Sequence, residues 1–239
     1  MADSLIPVSA VILAGGENRR MKIPKAFLEI GGISIIERQA AALTGGAGGA
    51  GRDRQALLRG MSRRLAGPDA VEAEGAFFDE LIVIANDPVP YESLGIKALP
   101  DNPEFSGQKG PLVGVYTGLQ AARNQSIFVV ACDMPFISGK LARRLAELKG
   151  AHDAVVPVIR GYPEPLFAVY SKTVLEYAEK ALKYGRPRLQ ELFKDLDVLY
   201  MDESEAMEYD PGLLSFINVN TPEELKMAEG LAKGEVKEG

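Results

Sequence analysis

The strongest structural signal near the N-terminus is the segment Ala10-Val11-Ile12-Leu13-Ala14-Gly15-Gly16-Glu17-Asn18-Arg19-Arg20-Met21-Lys22-Ile23-Pro24-Lys25. A short apolar run ends at two glycines, which predicts a buried strand over residues 8–14 followed by a loop. Because glycine has no Cβ, a ligand can lie against the Gly15-Gly16 backbone and accept its N–H hydrogen bonds. Four cations follow and can neutralise phosphate charge: Arg19, Arg20, Lys22 and Lys25. The loop therefore predicts phosphate binding, with a plain strand-to-helix turn as the alternative.

The composition is that of a globular protein. Its 239 residues are 46% hydrophobic and 25% charged, and the formal net charge of −6 argues against a broad nucleic-acid-binding surface. The single Cys132 and the single His152 exclude an intramolecular disulfide, a cysteine-rich metal site and a multi-histidine metal site. We expect Cys132 to be a buried strand residue, not a nucleophile. No apolar run approaches the ~20 residues of a membrane span, and the N-terminus lacks a basic signal region, so we expect a cytoplasmic protein without a membrane partner.

Strand and helix patterns alternate beyond the opening segment. Short apolar runs predict strands over 81–85, 127–131, 154–158, 166–170, 217–219 and, at the sheet edge, 198–201. Helical patterns cover 35–43, 111–122, 139–149, 172–183, 189–194 and a last helix from 222. Ser34 with Glu37, Ser138, and Thr221 before Pro222 have the composition of helix N-termini. The alternation predicts an α/β protein: a three-layer α/β/α, Rossmann-like arrangement around a mostly parallel sheet.

Residues 44–75 interrupt this pattern. They open with seven small residues, Gly45 to Gly51, and continue through an arginine-rich stretch to Gly67-Pro68. We interpret them as a flexible insertion, with one short helix near 54–65, in a single domain that spans residues 1–239. The segment Gly46–Gly51 matches G-x-G-x-x-G, but a dinucleotide-binding fingerprint must follow a strand and this one follows a helix. A linker is therefore the better interpretation.

Polar residues collect where the predicted strands end. Ligands of parallel α/β sheets bind beyond the carboxyl ends of the strands, and Gly15-Gly16, Asn86-Asp87 and Asp133 all fall there. Asp133 follows a buried strand and is placed to hold Mg²⁺, which takes few protein ligands and bridges substrate phosphates. The alternative for Asp133 is an Asx turn or cap before Pro135.

Other polar residues carry weaker signals. Asp101 stands in Asp-Asn-Pro, which by itself favours a turn. Asn218 and Asn220 alternate along a predicted strand end and so point to one face, although Asn220 also precedes a helix cap. Arg186 and Arg188 lie between two helices and suit either an anionic substrate or a plain surface, with the surface favoured.

Together these residues resemble the molybdenum cofactor guanylyltransferases, a branch of the nucleotidyltransferases. The family motif L-A-G-G-x-S-x-R-M-G-x-D-K stands here as Leu13–Lys25. Four further motifs match in order: Leu99-Pro100-Asp101, Gly110-Pro111-Leu112-Val113-Gly114, Cys132-Asp133-Met134-Pro135-Phe136 and Asn218–Leu225. The likeness covers nearly the whole chain except about residues 44–75.

The chain departs from the family at two places. The segment between Met21 and Lys25 lacks the family's glycine and acidic residue and contains Pro24. Glu164 stands before Pro165-Leu166, where the family often has glutamine. The first departure affects the path of the loop, and the second affects the pterin side.

The resemblance implies a nucleotide-diphospho-sugar transferase fold and a defined reaction. GMP passes from GTP to the phosphate of molybdopterin (Mo-molybdopterin), pyrophosphate is released, and molybdopterin guanine dinucleotide forms. Three residues are implied to contact guanine and phosphates through the backbone: Leu13, Ala14 and Gly15. Gly16, in the same loop, is a binding candidate because its backbone is accessible. Asp101 is implied to contact the guanosine, in place of a plain turn role.

The resemblance also implies the charged part of the site. Lys25 binds the nucleotide phosphates, Asp133 binds Mg²⁺ with the nucleotide, and Asn220 acts at the metal or pterin side. Arg20 joins Lys25 in stabilising charge on the leaving group. Other molybdenum cofactor biosynthesis proteins and molybdoenzyme acceptors are further partners to expect. The alternatives are a related enzyme that uses CTP or a sugar phosphate, and a non-catalytic nucleotide-binding protein.

Overall fold

A computed structural model of the chain describes residues 6–15, 23–44, 78–105 and 107–234. Beyond Thr44, the predicted insertion and its helix near 54–65 lie outside these residues, as do the predicted site residues Gly16 and Arg20. The single-domain prediction therefore stays a prediction.

Eight of the described strands form the central sheet. The strands are β1 (Ile6–Leu13), β2 (Glu29–Ile30), β3 (Ile33–Ser34), β4 (Phe78–Ile84), β5 (Lys97–Leu99), β6 (Ser126–Ala131), β7 (Ala154–Ile159), β8 (Tyr162–Pro163), β9 (Phe167–Ser171) and β10 (Val198–Met201). The sheet order is β10-β7-β9-β6-β1-β4-β5, with β8 paired to β7, whereas β2 and β3 form a separate hairpin. β9 runs antiparallel to β6 and β7, and β8 runs antiparallel to β7; the other pairs of the sheet are parallel.

Helices connect these strands. They are α1 (Ile35–Thr44), α2 (Val89–Glu92), α3 (Pro111–Ala121), α4 (Gly139–Leu148), α5 (Val174–Lys183), α6 (Leu189–Leu192), α7 (Glu203–Tyr209) and α8 (Pro222–Ala232). Three short 3₁₀ turns cover Lys25–Phe27, Pro103–Phe105 and Leu214–Phe216. Among the described residues, none of these helices combines the length and apolar character that crossing a membrane requires.

Strand β1 separates two apolar cores. Its side chains alternate, so Val8, Ala10 and Ile12 join the core beneath α1, α4 and α7. Val11 and Leu13 join the core beneath α3, α5 and α6. A strand covered on both faces is largely apolar, which is why residues 10–14 form one continuous apolar run. The predicted three-layer α/β/α architecture with a mostly parallel sheet is confirmed.

Helix α3 lies very close to β1. A Cβ on Gly118 would stand 2.9 Å from Val11 Cγ1, and one on Gly114 would stand 3.0 Å from Leu13 Cδ2. Since only glycine leaves room for this approach, the two glycines let the helix rest directly on the strand. The N-terminus of α3 is thereby brought near the carboxyl end of β1.

The predicted N-termini are confirmed in detail. The Glu37 carboxylate accepts hydrogen bonds from the Ser34 backbone N–H (3.1 Å) and hydroxyl (2.5 Å). Ser138 Oγ accepts from the Leu141 N–H at 3.2 Å. Thr221 and Glu224 form a complete capping box with Pro222 in the first turn. These local signals depend only on neighbours in sequence, so they place the helix starts reliably.

The predicted strand over 217–219 is wrong. In the structure these residues are extended but form no ladder, and the Val219 N–H donates instead to the Asp133 carbonyl at 2.8 Å. Val219 is buried in a small separate core with Leu28, Ile35 and Ala228. Its apolar side chain is therefore covered by α8 and the hairpin, which a strand pattern cannot distinguish from burial in the sheet.

Several elements fall outside the predictions, among them the short hairpin of β2 and β3 and the short strand β5. Gly31 and Gly32 both have positive φ (61° and 77°), as a two-residue hairpin turn between β2 and β3 requires. The strands it joins have only two residues each. Strand β5 has three residues, too few to display a period.

Candidate active site

The carboxyl ends of four parallel strands meet at one edge of the sheet. Backbone hydrogen bonds continue just beyond them, from Ala14 N–H to the Ile84 carbonyl (2.8 Å) and from Cys132 N–H to the Leu13 carbonyl (3.0 Å). The Ala85 N–H likewise donates to the Leu99 carbonyl at 2.9 Å. Gly15, Asp101 and Asp133 each follow one of these strand ends within two residues. The sheet thus delivers them to a common rim.

Lys25 reaches across this rim to two oxygen atoms. Its Nζ donates to Asp133 Oδ2 at 3.2 Å and also to Asn220 Oδ1 in a close contact. The Lys25 and Asp133 side chains are 24% and 21% exposed, so a ligand can still reach them. The Pro24 carbonyl accepts from the Phe27 N–H at 2.9 Å, starting the 3₁₀ turn that carries Lys25. Although Pro24 departs from the family motif, Lys25 still contacts Asp133.

The turn that carries Asp133 is held from below by Gln39, which the sequence analysis did not single out. Gln39 lies on α1 and is fully buried. Its Nε2 donates to the carbonyls of Ala131 (2.7 Å) and Met134 (2.9 Å), on either side of Asp133. A polar residue on the same helix face as the buried Ile36 and Leu43 was the signal that could have revealed it.

Asn220 is positioned by the start of α8. Its backbone N–H donates to Glu224 Oε2 at 2.6 Å, and the Val219 N–H donates to the Asp133 carbonyl. These bonds tie the segment before α8 to the Asp133 turn. The Asn220 side chain accepts a hydrogen bond from Lys25. Only the backbone N–H of Asn220 bonds to Glu224 at the start of α8.

Asp101 lies against the main chain of Gly15. A Cβ on Gly15 would be 3.7 Å from Asp101 Oδ2. The next residue anchors the loop, since Asn102 N–H donates to Thr117 Oγ1 of α3 at 2.9 Å. Burial raises the pKa of the Asp101 carboxyl above its ordinary value near 3.8. A half-buried carboxylate beside an exposed glycine is suited to accept hydrogen bonds from a ligand lying on that glycine.

The sheet already uses part of the backbone expected to meet the nucleotide. The Leu13 carbonyl accepts from Cys132, and the Ala14 N–H donates to Ile84. An N–H makes one such bond, so contact with Ala14 is left to its carbonyl and side chain. Gly15 is exposed beyond this last sheet bond.

A second loop borders the start of α3. Gly110 precedes this helix with φ of 122°, and a Cβ there would stand 3.1 Å from the Pro187 carbonyl oxygen. Arg186 and Arg188, on either side of Pro187, are exposed, and Arg188 lies 3.8 Å from Glu191. This agrees with the surface interpretation of both arginines.

Glu164, which replaces the glutamine common in the family, is half-buried. Burial raises the pKa of its carboxyl above its ordinary value.

Cys132 is unsuited to be a nucleophile. Burial, together with the neighbouring Asp133 charge, raises the pKa of its thiol to about 12, so the thiol is protonated at neutral pH. Within the described part of the chain, no three side chains of His, Cys, Asp or Glu cluster to form a metal cage. A metal here must draw further ligands from substrate and water.

The oxygen atoms at the rim nevertheless fit a small hard cation. Asp133 Oδ2 and Asn220 Oδ1 converge on a single positive group, the Lys25 ammonium. Carboxylate and amide oxygens are the ligands that Mg²⁺ and Mn²⁺ prefer, and Mg²⁺ is commonly held by one or two protein ligands plus phosphates. The donor set is therefore suited to a divalent cation that arrives with a nucleotide.

Comparison with known proteins points to one family. The family model described as a MobA-like NTP transferase domain matches residues 10–199. A protein of Natranaerobius thermophilus named probable molybdenum cofactor guanylyltransferase is 33% identical over 92% of this chain and 94% of its own length. One of the same name from Methanosarcina mazei is 34% identical over 95% and 92%.

A solved structure supports the same fold. The molybdopterin-guanine dinucleotide biosynthesis protein A of Archaeoglobus fulgidus has a TM-score of 0.69 with this chain at 23% identity. The alignment covers 95% of this chain and all of that one.

Proposed function

The chain belongs to the MobA-like NTP transferase family and is a nucleotidyltransferase, and we propose that it transfers GMP from GTP to the phosphate of molybdopterin. Pyrophosphate is released and molybdopterin guanine dinucleotide is the product. The guanine preference is supported by relatives named as guanylyltransferases at 33% and 34% identity over nearly the whole chain.

The observation that carries the proposal is the meeting of Lys25, Asp133 and Asn220 at the carboxyl rim of the sheet. These residues come from three remote parts of the chain, and a fold alone does not require them to meet. A cation, a carboxylate and an amide oxygen together can hold a nucleotide triphosphate and its metal.

The nucleotide side of the site is assigned to the rim around β1. Leu13, Ala14, Gly15 and Gly16 supply backbone for the guanine and phosphates, while the Asp101 carboxylate accepts from the guanosine. The Asp101 contact with Gly15 supports this assignment, because a ligand on the glycine would lie directly beside the carboxylate.

Asp133 is assigned as the protein ligand of Mg²⁺, with Asn220 as a second oxygen donor. When bound, the metal would neutralise phosphate charge and orient the triphosphate. The convergence of both oxygens on one ammonium group supports this choice of ligands.

The transfer itself needs positioning and charge stabilisation. A terminal phosphate oxygen of molybdopterin forms a bond to the α-phosphorus of GTP, while the bond from that phosphorus to the bridging oxygen of the β-phosphate breaks. The electron pair leaves with pyrophosphate, where Lys25 and Arg20 stabilise the developing charge. Arg20 lies outside the described residues, so its role rests on the family motif. A phosphate monoester is already a nucleophile at neutral pH, so no general base is assigned.

The test is pyrophosphate release by the purified protein with Mg²⁺, molybdopterin and one nucleotide at a time. We expect release with GTP and little with ATP, CTP or UTP. Asp133→Ala should abolish it while leaving the melting temperature near that of the wild type. Turnover with CTP or a sugar phosphate instead would overturn the substrate assignment, and no release with any acceptor would favour a non-catalytic nucleotide-binding protein.

The cytoplasmic location stays a prediction. Contact with other molybdenum cofactor biosynthesis proteins and with molybdoenzyme acceptors also stays a prediction.

A further inference from the structure

The Lys25 ammonium occupies the point at which two metal-type oxygen ligands converge. Lys25 Nζ donates to Asp133 Oδ2 at 3.2 Å and to Asn220 Oδ1 in a still closer contact. These are the two side chains assigned above to the divalent cation. The residue that should bind phosphate is therefore seated on the oxygens that should bind metal.

A lysine and a divalent cation cannot share these oxygens without a cost. Both need the same lone pairs, and at such short range two positive charges repel each other strongly. The ammonium must move away before the metal can take both ligands. The ion pair is partly exposed, so solvent reaches the ammonium and screens its attraction to Asp133.

Resting on the proposed function, we propose that Lys25 closes the metal site in the nucleotide-free protein and opens it when a nucleotide phosphate draws the ammonium away. The phosphate gives Lys25 a new partner of equal or greater charge, so the exchange costs little. Metal and nucleotide then bind with positive coupling, since each removes an obstacle to the other. Metal alone binds weakly.

This coupling suits a transferase that handles a triphosphate. A metal held permanently between Asp133 and Asn220 would keep Lys25 displaced and without a partner. With Lys25 as the resident cation, the carboxylate is neutralised in every state, first by the ammonium and then by the metal.

Without nucleotide, the affinity for Mn²⁺ should depend on the charge at position 25. Binding of Mn²⁺ alone to the full-length protein is measured from the electron paramagnetic resonance signal of free Mn²⁺. Lys25→Met removes the competing charge and should tighten Mn²⁺ binding about five- to tenfold. Lys25→Arg keeps a cation on the loop and should stay within about twofold of the wild type.

Matched controls identify the cause. Lys97→Met removes the same charge from the opposite edge of the sheet, where Lys97 pairs with Glu80 at 3.6 Å, and should leave Mn²⁺ affinity unchanged. Asp133→Asn should weaken Mn²⁺ binding more than tenfold, alone and combined with Lys25→Met. Circular dichroism melting curves verify that each variant is folded.

The outcomes separate this proposal from the proposed function. If Asp133→Asn weakens Mn²⁺ binding but Lys25→Met does not tighten it, the closing role of Lys25 is overturned and the metal ligand stands. If Lys25→Arg or Lys97→Met gains as much as Lys25→Met, the effect is not specific competition and the proposal also fails. If Asp133→Asn binds Mn²⁺ normally, both the metal ligand and this inference fall, while GTP-dependent pyrophosphate release would still support guanylyl transfer.

Discussion

Lys25 and Asp133 are 108 positions apart in the chain, yet Nζ of one lies 3.2 Å from Oδ2 of the other. Lys25 follows the loop after β1, and Asp133 follows β6. These two strands are neighbours in the sheet, with Leu13 paired to Ala131. Strand order brings the two segments to the same rim, and the ion pair joins the loop that carries Lys25 to the turn that carries Asp133.

Replacing Lys25 by Ala should slow guanylyl transfer. The ammonium would no longer neutralise the nucleotide phosphates or the leaving pyrophosphate, so we expect kcat/KM for GTP to fall about 100-fold, with a higher KM. Steady-state pyrophosphate release at varied GTP concentration provides the measurement. Lys97→Ala, at the amino end of β5, serves as the charge-matched control and should behave like the wild type. Equal kinetics for Lys25→Ala and Lys97→Ala would remove Lys25 from the site.

Asp101→Asn should stabilise the protein at neutral pH while weakening nucleotide binding. Burial raises the pKa of this carboxyl, so the folded protein binds its proton more tightly than the unfolded chain does. Stability from this group is therefore present below about pH 3.8 and is lost as the pH rises through the folded-state pKa. At pH 7 the neutral amide avoids the cost of a half-buried charge.

The measurement for Asp101→Asn is its melting temperature as a function of pH beside that of the wild type. The variant should melt at a higher temperature at pH 7, and the difference should shrink as the pH falls toward 4. Titration calorimetry should find GTP affinity lowered about tenfold, because a charge-assisted hydrogen bond is lost. A variant that melts lower at pH 7 would mean that the carboxylate is stabilised by a partner.

Gln39→Leu should loosen the Asp133 turn. The carbonyls of Ala131 and Met134 would lose the hydrogen bonds from Gln39, which costs about 1–3 kcal/mol of unfolding free energy. Because Asp133 lies between them, Mn²⁺ affinity should fall as well. Leu43→Val, a buried change at the far end of α1, supplies a control that reduces stability without touching this turn. If both variants keep wild-type Mn²⁺ affinity, Gln39 has only a structural role.

Gly118→Ala should destabilise the protein although alanine favours helices. The new methyl group would stand 2.9 and 3.2 Å from the two methyl groups of Val11, and β-branched valine has little freedom to move. Overpacking costs about 1–3 kcal/mol, against about 1 kcal/mol gained in helix propensity.

A double-mutant cycle with Val11→Ala tests this account. Removing the methyl groups of Val11 makes room, so the cost of Gly118→Ala should largely disappear in that background. Urea unfolding of the four proteins should then give a coupling of about 1–2 kcal/mol between the two positions. Additive effects would place the strain of Gly118→Ala elsewhere.

Much of the fold follows from local patterns. The apolar run that ends at Gly15 predicts β1, and the pairings Ser34 with Glu37 and Thr221 with Pro222 predict two helix starts, because each signal involves residues within a few positions. The strand over 217–219 was predicted wrongly for the complementary reason. An apolar alternation reports that Val219 is buried but not which element covers it.

The candidate site, like the fold, has features that local sequence predicts and features that depend on contacts between distant segments. The kinds of group present can be predicted from local sequence: glycines and cations after a strand, a carboxylate after another strand, and an asparagine before a helix cap. The contact of Lys25 with Asp133 and Asn220, and the support of the Asp133 turn by Gln39, follow from the folded structure. Side-chain periodicity is a property of neighbours along the chain, whereas a site at a sheet edge depends on strand order and on close packing between distant segments.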